Sequence, residues 1–147
     1  MEIAWLLVAA LMGFAPIAAA GQENTKSLEP DPIGPLSEAV RPSDYQQVRY
    51  VSQTTGSDLT GSGGARKPWA TLRHALSRIT DARASRRYAV LVAEGAYRDG
   101  VLAMKEYVDL YGGFTPQWGR RDVFAHSSTL DGRRKNRLVL GANNARL

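Results

Sequence analysis

A chain of 147 residues is long enough for one domain of ordinary size, and a hydrophobic content of 44% is that of a globular protein rather than a disordered one. It contains no cysteine, which excludes disulfide stapling and thiolate chemistry, whether catalytic or metal-binding. Charge is unevenly placed: residues 1–47 carry two basic and six acidic side chains, residues 48–147 seventeen basic and eight acidic. The second part therefore suits an anionic polysaccharide, anionic lipid or nucleic acid, with a solvated charged surface as the plainer reading.

In chain order, Leu6 to Ile17 is a nearly unbroken apolar run, and Ala18, Ala19 and Ala20 supply small residues for a cut after Ala20. That is the layout of a secretory signal peptide at residues 1–20, although Glu2 leaves the amino terminus as the only positive charge before the apolar run. An uncleaved membrane anchor is the alternative, but the run is short for a span of about 20 residues. No other segment is apolar enough to cross a bilayer. Export also makes nucleic acid the least expected partner. Residues 21–47, with EPDPIGP and RPSD, read as a proline-rich tether.

From Val48 the texture changes. RYVS, Arg49 to Ser52, is a candidate first strand. Gly56, Gly61, Gly63 and Gly64, mixed with Ser, Thr and Asp, mark a loop. Leu72, Ala75, Leu76 and Ile79 then fall at i, i+3, i+4 and i+7, the apolar stripe of a helix with Thr71 as its N-cap. Tyr88 to Ala93 reads as a buried strand, and Val101 to Met104 as a short one. Tyr107 to Tyr111 alternates, with Val108 and Leu110 on one face and Tyr107, Asp109 and Tyr111 on the other. Gly112 and Gly113 are expected to end that strand and turn the chain at a corner where a Cβ would clash or φ is positive. Phe114 and Trp118 are expected to fold back onto the outer wall. Ser128–Asp131 and Arg137–Leu140 are further short strands, each closed by glycine. Val90 and Val108 stand 18 residues apart and Val108 and Leu130 stand 22 apart, both near a solenoid turn of roughly 20 residues.

The order YVS, TGSD, PWATLRHAL, AVLVAEGAY, VDLYGGF, STLDG and RLVLGANN resembles the opening of secreted right-handed parallel β-helix proteins of the pectin-lyase-like superfamily. The resemblance covers residues 48–147. It implies a mainly β fold: a right-handed parallel β-helix (solenoid) with one N-terminal capping α-helix, whose Leu72, Leu76 and Ile79 cover the first coil beside Trp69. With no terminal cap in view, the coil is expected to be incomplete and the chain a fragment. The resemblance also implies a bacterial secreted or cell-surface protein that binds or processes acidic polysaccharide. A lyase or glycoside hydrolase is one version; a non-enzymatic adhesion scaffold is the alternative. No catalytic motif of the resembling enzymes matches a position here, so no self-contained active site is expected.

Trp118, Arg120 and Arg121 are the candidate carbohydrate-binding residues, because an aromatic face beside guanidinium groups suits a sugar ring bearing a carboxylate. The competing reading makes Trp118 a loop anchor and pairs the arginines with Asp122. Arg133, Arg134, Lys135 and Arg137 extend a basic strip or form a solvated charge run. His74 and His126 imply no shared site, and no metal centre or other cofactor is expected. Calcium is the one exception considered, through Asp58 in TGSDLTGSGG, where an aspartate capping its own turn is the other reading. Glu94, Asp99, Asp109 and Asp131 would make a carboxylate pair for sugar chemistry only if the fold brought two of them together.

Overall fold

The alternating and apolar stretches found in the sequence do form strands, and the 3.6-residue stripe does form a helix. The computed structural model describes residues 40–133 and 138–147. In chain order its elements are β1 (Gln47–Val51), α1 (Leu72–Arg78), β2 (Tyr88–Ala93), β3 (Gly95–Tyr97), β4 (Leu102–Ala103), β5 (Val108–Phe114), β6 (Ser128–Leu130) and β7 (Val139–Leu140), with a 3-10 turn at Pro42–Asp44 before β1. Every strand pairing among them is parallel: β1-β2-β5 in one sheet, β3-β6 in a second and β4-β7 in a third.

Register gives the larger sheet two different faces. Tyr88 lies beside Val108, and Val90 beside both Arg49 and Leu110. This face, with Val51 and Val92, packs against Leu72, Ala75, Leu76 and Ile79 to make the main core. The other face carries Ala89, Leu91 and Phe114 with Tyr50 and Tyr111 flanking Leu91, and Tyr45 and Trp118 pack against it. The outer edge of β1 is closed by the glycine loop, with Tyr50 N–H donating to Gly63 O and Trp69 N–H to Tyr50 O, each at 3.0 Å. Trp69 lies flat against Gly63, where a Cβ would stand 2.7 Å from the indole ring; only glycine admits that approach.

The expectation of a right-handed parallel β-helix is not met. The strands sort into three separate small sheets of three, two and two strands, and no solenoid is present among the described residues. Sequence spacing explains why. Paired positions stand 41 residues apart from β1 to β2 (47 and 88), 20 from β2 to β5 (88 and 108), 33 from β3 to β6 (95 and 128) and 37 from β4 to β7 (102 and 139). No constant period survives the long loops. Leu130 pairs with Tyr97 rather than stacking on Val108, and Leu140 is 42% exposed.

Two local expectations also change. β5 does not end at Tyr111 but continues through Gly112 and Gly113 to Phe114, with a bulge where the pairing register with β2 shifts. Gly113 has φ +89 and a Cβ there would meet Val123, so the glycine requirement holds although the corner lies farther on. The folded body also takes in Val40 and Tyr45, which pack on the second face, although the sequence assigns them to the tether. The signal-peptide assignment, residues 21–39 of the tether and Arg134, Lys135 and Arg137 of the basic strip lie outside the described residues. Among the described residues no helix is long and apolar enough to cross a membrane.

Candidate ligand-binding site

The loop after β5 carries the predicted carbohydrate residues, and backbone bonds fix it to the sheet. Asp122 N–H donates to Gly113 O at 2.7 Å, and the Asp122 carboxylate accepts from the amides of Phe124 and Ala125. Those two amides hold the Asp122 carboxyl below its ordinary range.

Trp118 is an anchor in this loop. Its backbone sits at φ +60, an unfavourable conformation for a bulky residue. Three contacts offset that cost: its amide donates to Thr115 O, its indole N–H donates to Ala65 O at 2.9 Å, and its ring meets Tyr50 edge to face at 4.9 Å. The indole is thereby half-buried on the second face of the sheet.

Arg120 and Arg121 diverge. Arg120 is exposed. Arg121 turns inward; its Nε–H donates to Gly112 O at 2.8 Å and its guanidinium lies over the Tyr111 ring at 5.8 Å. There it walls a cleft of about 720 Å³. The floor of that cleft is the main core itself: Leu72, Val92, Tyr97, Leu110 and Leu130. Tyr111, Gly112, Ser128, Arg146 and Leu147 complete the wall, and among the described residues no Asp or Glu side chain lines it. Arg146 reaches the site because its backbone runs beside β5, donating from N–H to the Asp109 carboxylate and accepting from Leu110 N–H, both at 2.9 Å.

Asp109 is 1% exposed on β5. Its carboxylate accepts from the Tyr45 hydroxyl at 2.7 Å and from Arg87 at 3.0 Å, besides the Arg146 amide. Tyr45 and Tyr111 share a further hydroxyl contact at 2.5 Å. Burial, the contact with Tyr111 and the Asp109 charge all push the Tyr45 phenol well above its ordinary value. Asp109 is thus a buried brace behind the cleft.

The other candidate carboxylates are engaged separately. Glu94 lies 3.0 Å from His126 Nδ1. Asp131 pairs with Arg98 at 2.9 Å. Asp99 accepts from the amides of Leu72 and Arg73 at the start of α1. Asp58 accepts from the amides of Ala70 and Thr71 and from the Thr71 hydroxyl, so it braces the helix entry twelve residues on rather than its own turn. Burial disfavours the ionised Asp58 carboxyl, but these three hydrogen bonds outweigh it and leave the group below its ordinary range. Both Asp58 oxygens therefore already face protein donors. Among the described residues, no group of three or more His, Asp or Glu is gathered as a metal site.

Of the three residues the sequence offers for carbohydrate binding, Trp118 anchors the loop, Arg120 is exposed and Arg121 lines the cleft. Sequence reading missed Arg146, Ser128 and the cleft floor. Tyr111 was legible as outward-facing from the alternation in β5, but nothing local in the sequence links Tyr45 or Arg146 to Asp109. No family model, no curated protein and no solved structure matches the chain.

Proposed function

We propose that the folded body is a binding module for an acidic glycan, received at Arg121 and Tyr111, with the exposed Arg120 next in the same loop. The observation that carries this reading is the Arg121 guanidinium held over the Tyr111 ring on the wall of the cleft. A planar cation beside an aromatic face suits a sugar ring that bears a carboxylate. Trp118 stiffens the corner from behind, so the loop loses little freedom on binding. The basic balance of residues 48–147 would speed the encounter with a polyanion.

Calorimetric titration of the full chain with oligogalacturonate, and with a neutral oligosaccharide of equal length, tests the reading. The acidic ligand is expected to bind, more weakly as salt rises, and the neutral one not to bind. Arg120→Gln leaves the cleft wall intact and removes an exposed charge. It is expected to weaken binding by about 1 kcal/mol, the net worth of a typical hydrogen bond, or roughly fivefold. Equal affinity for both oligosaccharides would remove the basis for an acidic ligand.

A further inference from the structure

We propose that the cleft is a binding site for an unbranched aliphatic chain, which lies on the floor while its polar head stays in water at the rim. This does not rest on the glycan reading, because the chain meets the floor and not the loop that carries Arg120.

The lining grades from a buried floor to an exposed rim. Leu72, Val92, Tyr97 and Leu110 are each at most 4% exposed and belong to the packed main core, so an occupant meets rigid walls. Leu147, 70% exposed, stands at the rim. The cleft volume of about 720 Å³ falls within the range, about 300–1,000 Å³, in which small-molecule sites usually lie.

The hydroxyls decide which part of a ligand can enter. Among the described lining residues three side chains carry one, and each is already engaged within the protein. Tyr97 donates to Ala93 O at 2.9 Å and accepts from Gln53 N–H at 3.3 Å. Burial pushes its phenol up to about 12, which keeps it neutral. Ser128 shares its hydrogen between Val92 O and Ala93 O and accepts from Gly113 N–H. Tyr111 meets the Tyr45 hydroxyl at 2.5 Å. A polar group pressed onto this floor would lose its hydration without gaining a partner, whereas a hydrocarbon chain has none to lose. Arg121 and Arg146 both have partners within the protein, so binding of the chain draws on neither guanidinium.

The test titrates the full chain with 1-butanol, 1-hexanol and 1-octanol below their solubility limits, and follows binding by calorimetry and amide NMR. Affinity is expected to rise about fourfold for each added methylene that reaches the floor. Octanol is expected to saturate one site and to shift the amides of Leu110 and Leu130. Octane-1,8-diol, equally long but polar at both ends, is expected to bind at least about tenfold more weakly than octanol. Leu130→Asn, which puts an amide on the floor, is expected to weaken octanol binding by a similar factor. Because that change could disturb folding, Leu147→Ser, at an exposed side chain, is a second variant. It removes apolar surface from the rim and is expected to weaken octanol binding about threefold. An affinity that does not rise from butanol to octanol, equal binding of octanol and the diol, or shifts confined to residues outside the cleft overturns the proposal.

Discussion

Gly113 sits at φ +89 with Val123 Cγ1 only 2.7 Å from where a Cβ would be. An alanine there meets both an unfavourable backbone conformation and a contact, so Gly113→Ala is expected to destabilise the fold by about 1–3 kcal/mol, seen as a lower midpoint in thermal unfolding. Asp58 supports a pH prediction. Its carboxyl lies below the ordinary value of 3.8, so its contribution to stability is complete above that value and is lost as pH falls through the lower folded value. The urea midpoint of the wild type is expected to fall on acidification below pH 3.8, and the gap between it and Asp58→Asn to close over the same window. A gap that stayed constant with pH would show that Asp58 acts through shape rather than charge. Single residues differed in how well they could be read. Val90, Val108 and Leu72 declare themselves core through strand composition, alternation or a helical stripe, all local patterns, and each is 1% exposed or less. The bond from Tyr45 to Asp109 spans 64 positions and leaves no trace in either neighbourhood.

At the scale of the element, α1 has seven residues, far too few to persist alone in water. It is held at both ends and along one side. Thr71, Asp58 and Asp99 receive amides at and just before its start, Lys105 donates to Ile79 O after its last turn, and Leu72, Ala75 and Leu76 are buried. Leu76→Ala is expected to cost about 2–5 kcal/mol, measured by denaturant titration, because the surrounding strands cannot close over the gap. The helix was legible because its stripe and its N-cap lie within one short window. Its second brace, Asp99, was not, since the sequence places it in a turn after β3. The short strands β6 and β7 show the opposite limit. Their positions follow from composition and closing glycines, but their partners do not, because counting residues assumes loops of equal length. The thirteen residues between β5 and β6 (115 to 127) break that assumption.

For the whole molecule, the sheet β1-β2-β5 is shared by two apolar clusters, one on each face. Neither cluster can lose its backing without the other losing it too, so the described body is expected to unfold in one step. Trp69 reports on the first cluster and Trp118 on the second. In a Trp5→Phe background, variants retaining one or the other indole should give superimposable fluorescence transitions once each is referred to its own circular-dichroism midpoint. Displaced curves would mean that the two faces melt separately. The mainly β character was legible from the recurring short strands. The coil was not there to be read: parallel pairing is present, but unequal loops scatter it into three sheets.

The Asp109 carboxylate has a consequence for how the chain closes. One of its oxygens receives Tyr45 and Arg87, the other the Arg146 amide, so stretches from the start, middle and end of the body are tied in one knot. Until all three arrive, that carboxylate is better left in water, which makes tying it a late event. A nick just before β1 would consequently be felt a hundred residues downstream, where the segment at Arg146 would loosen its hold on β5.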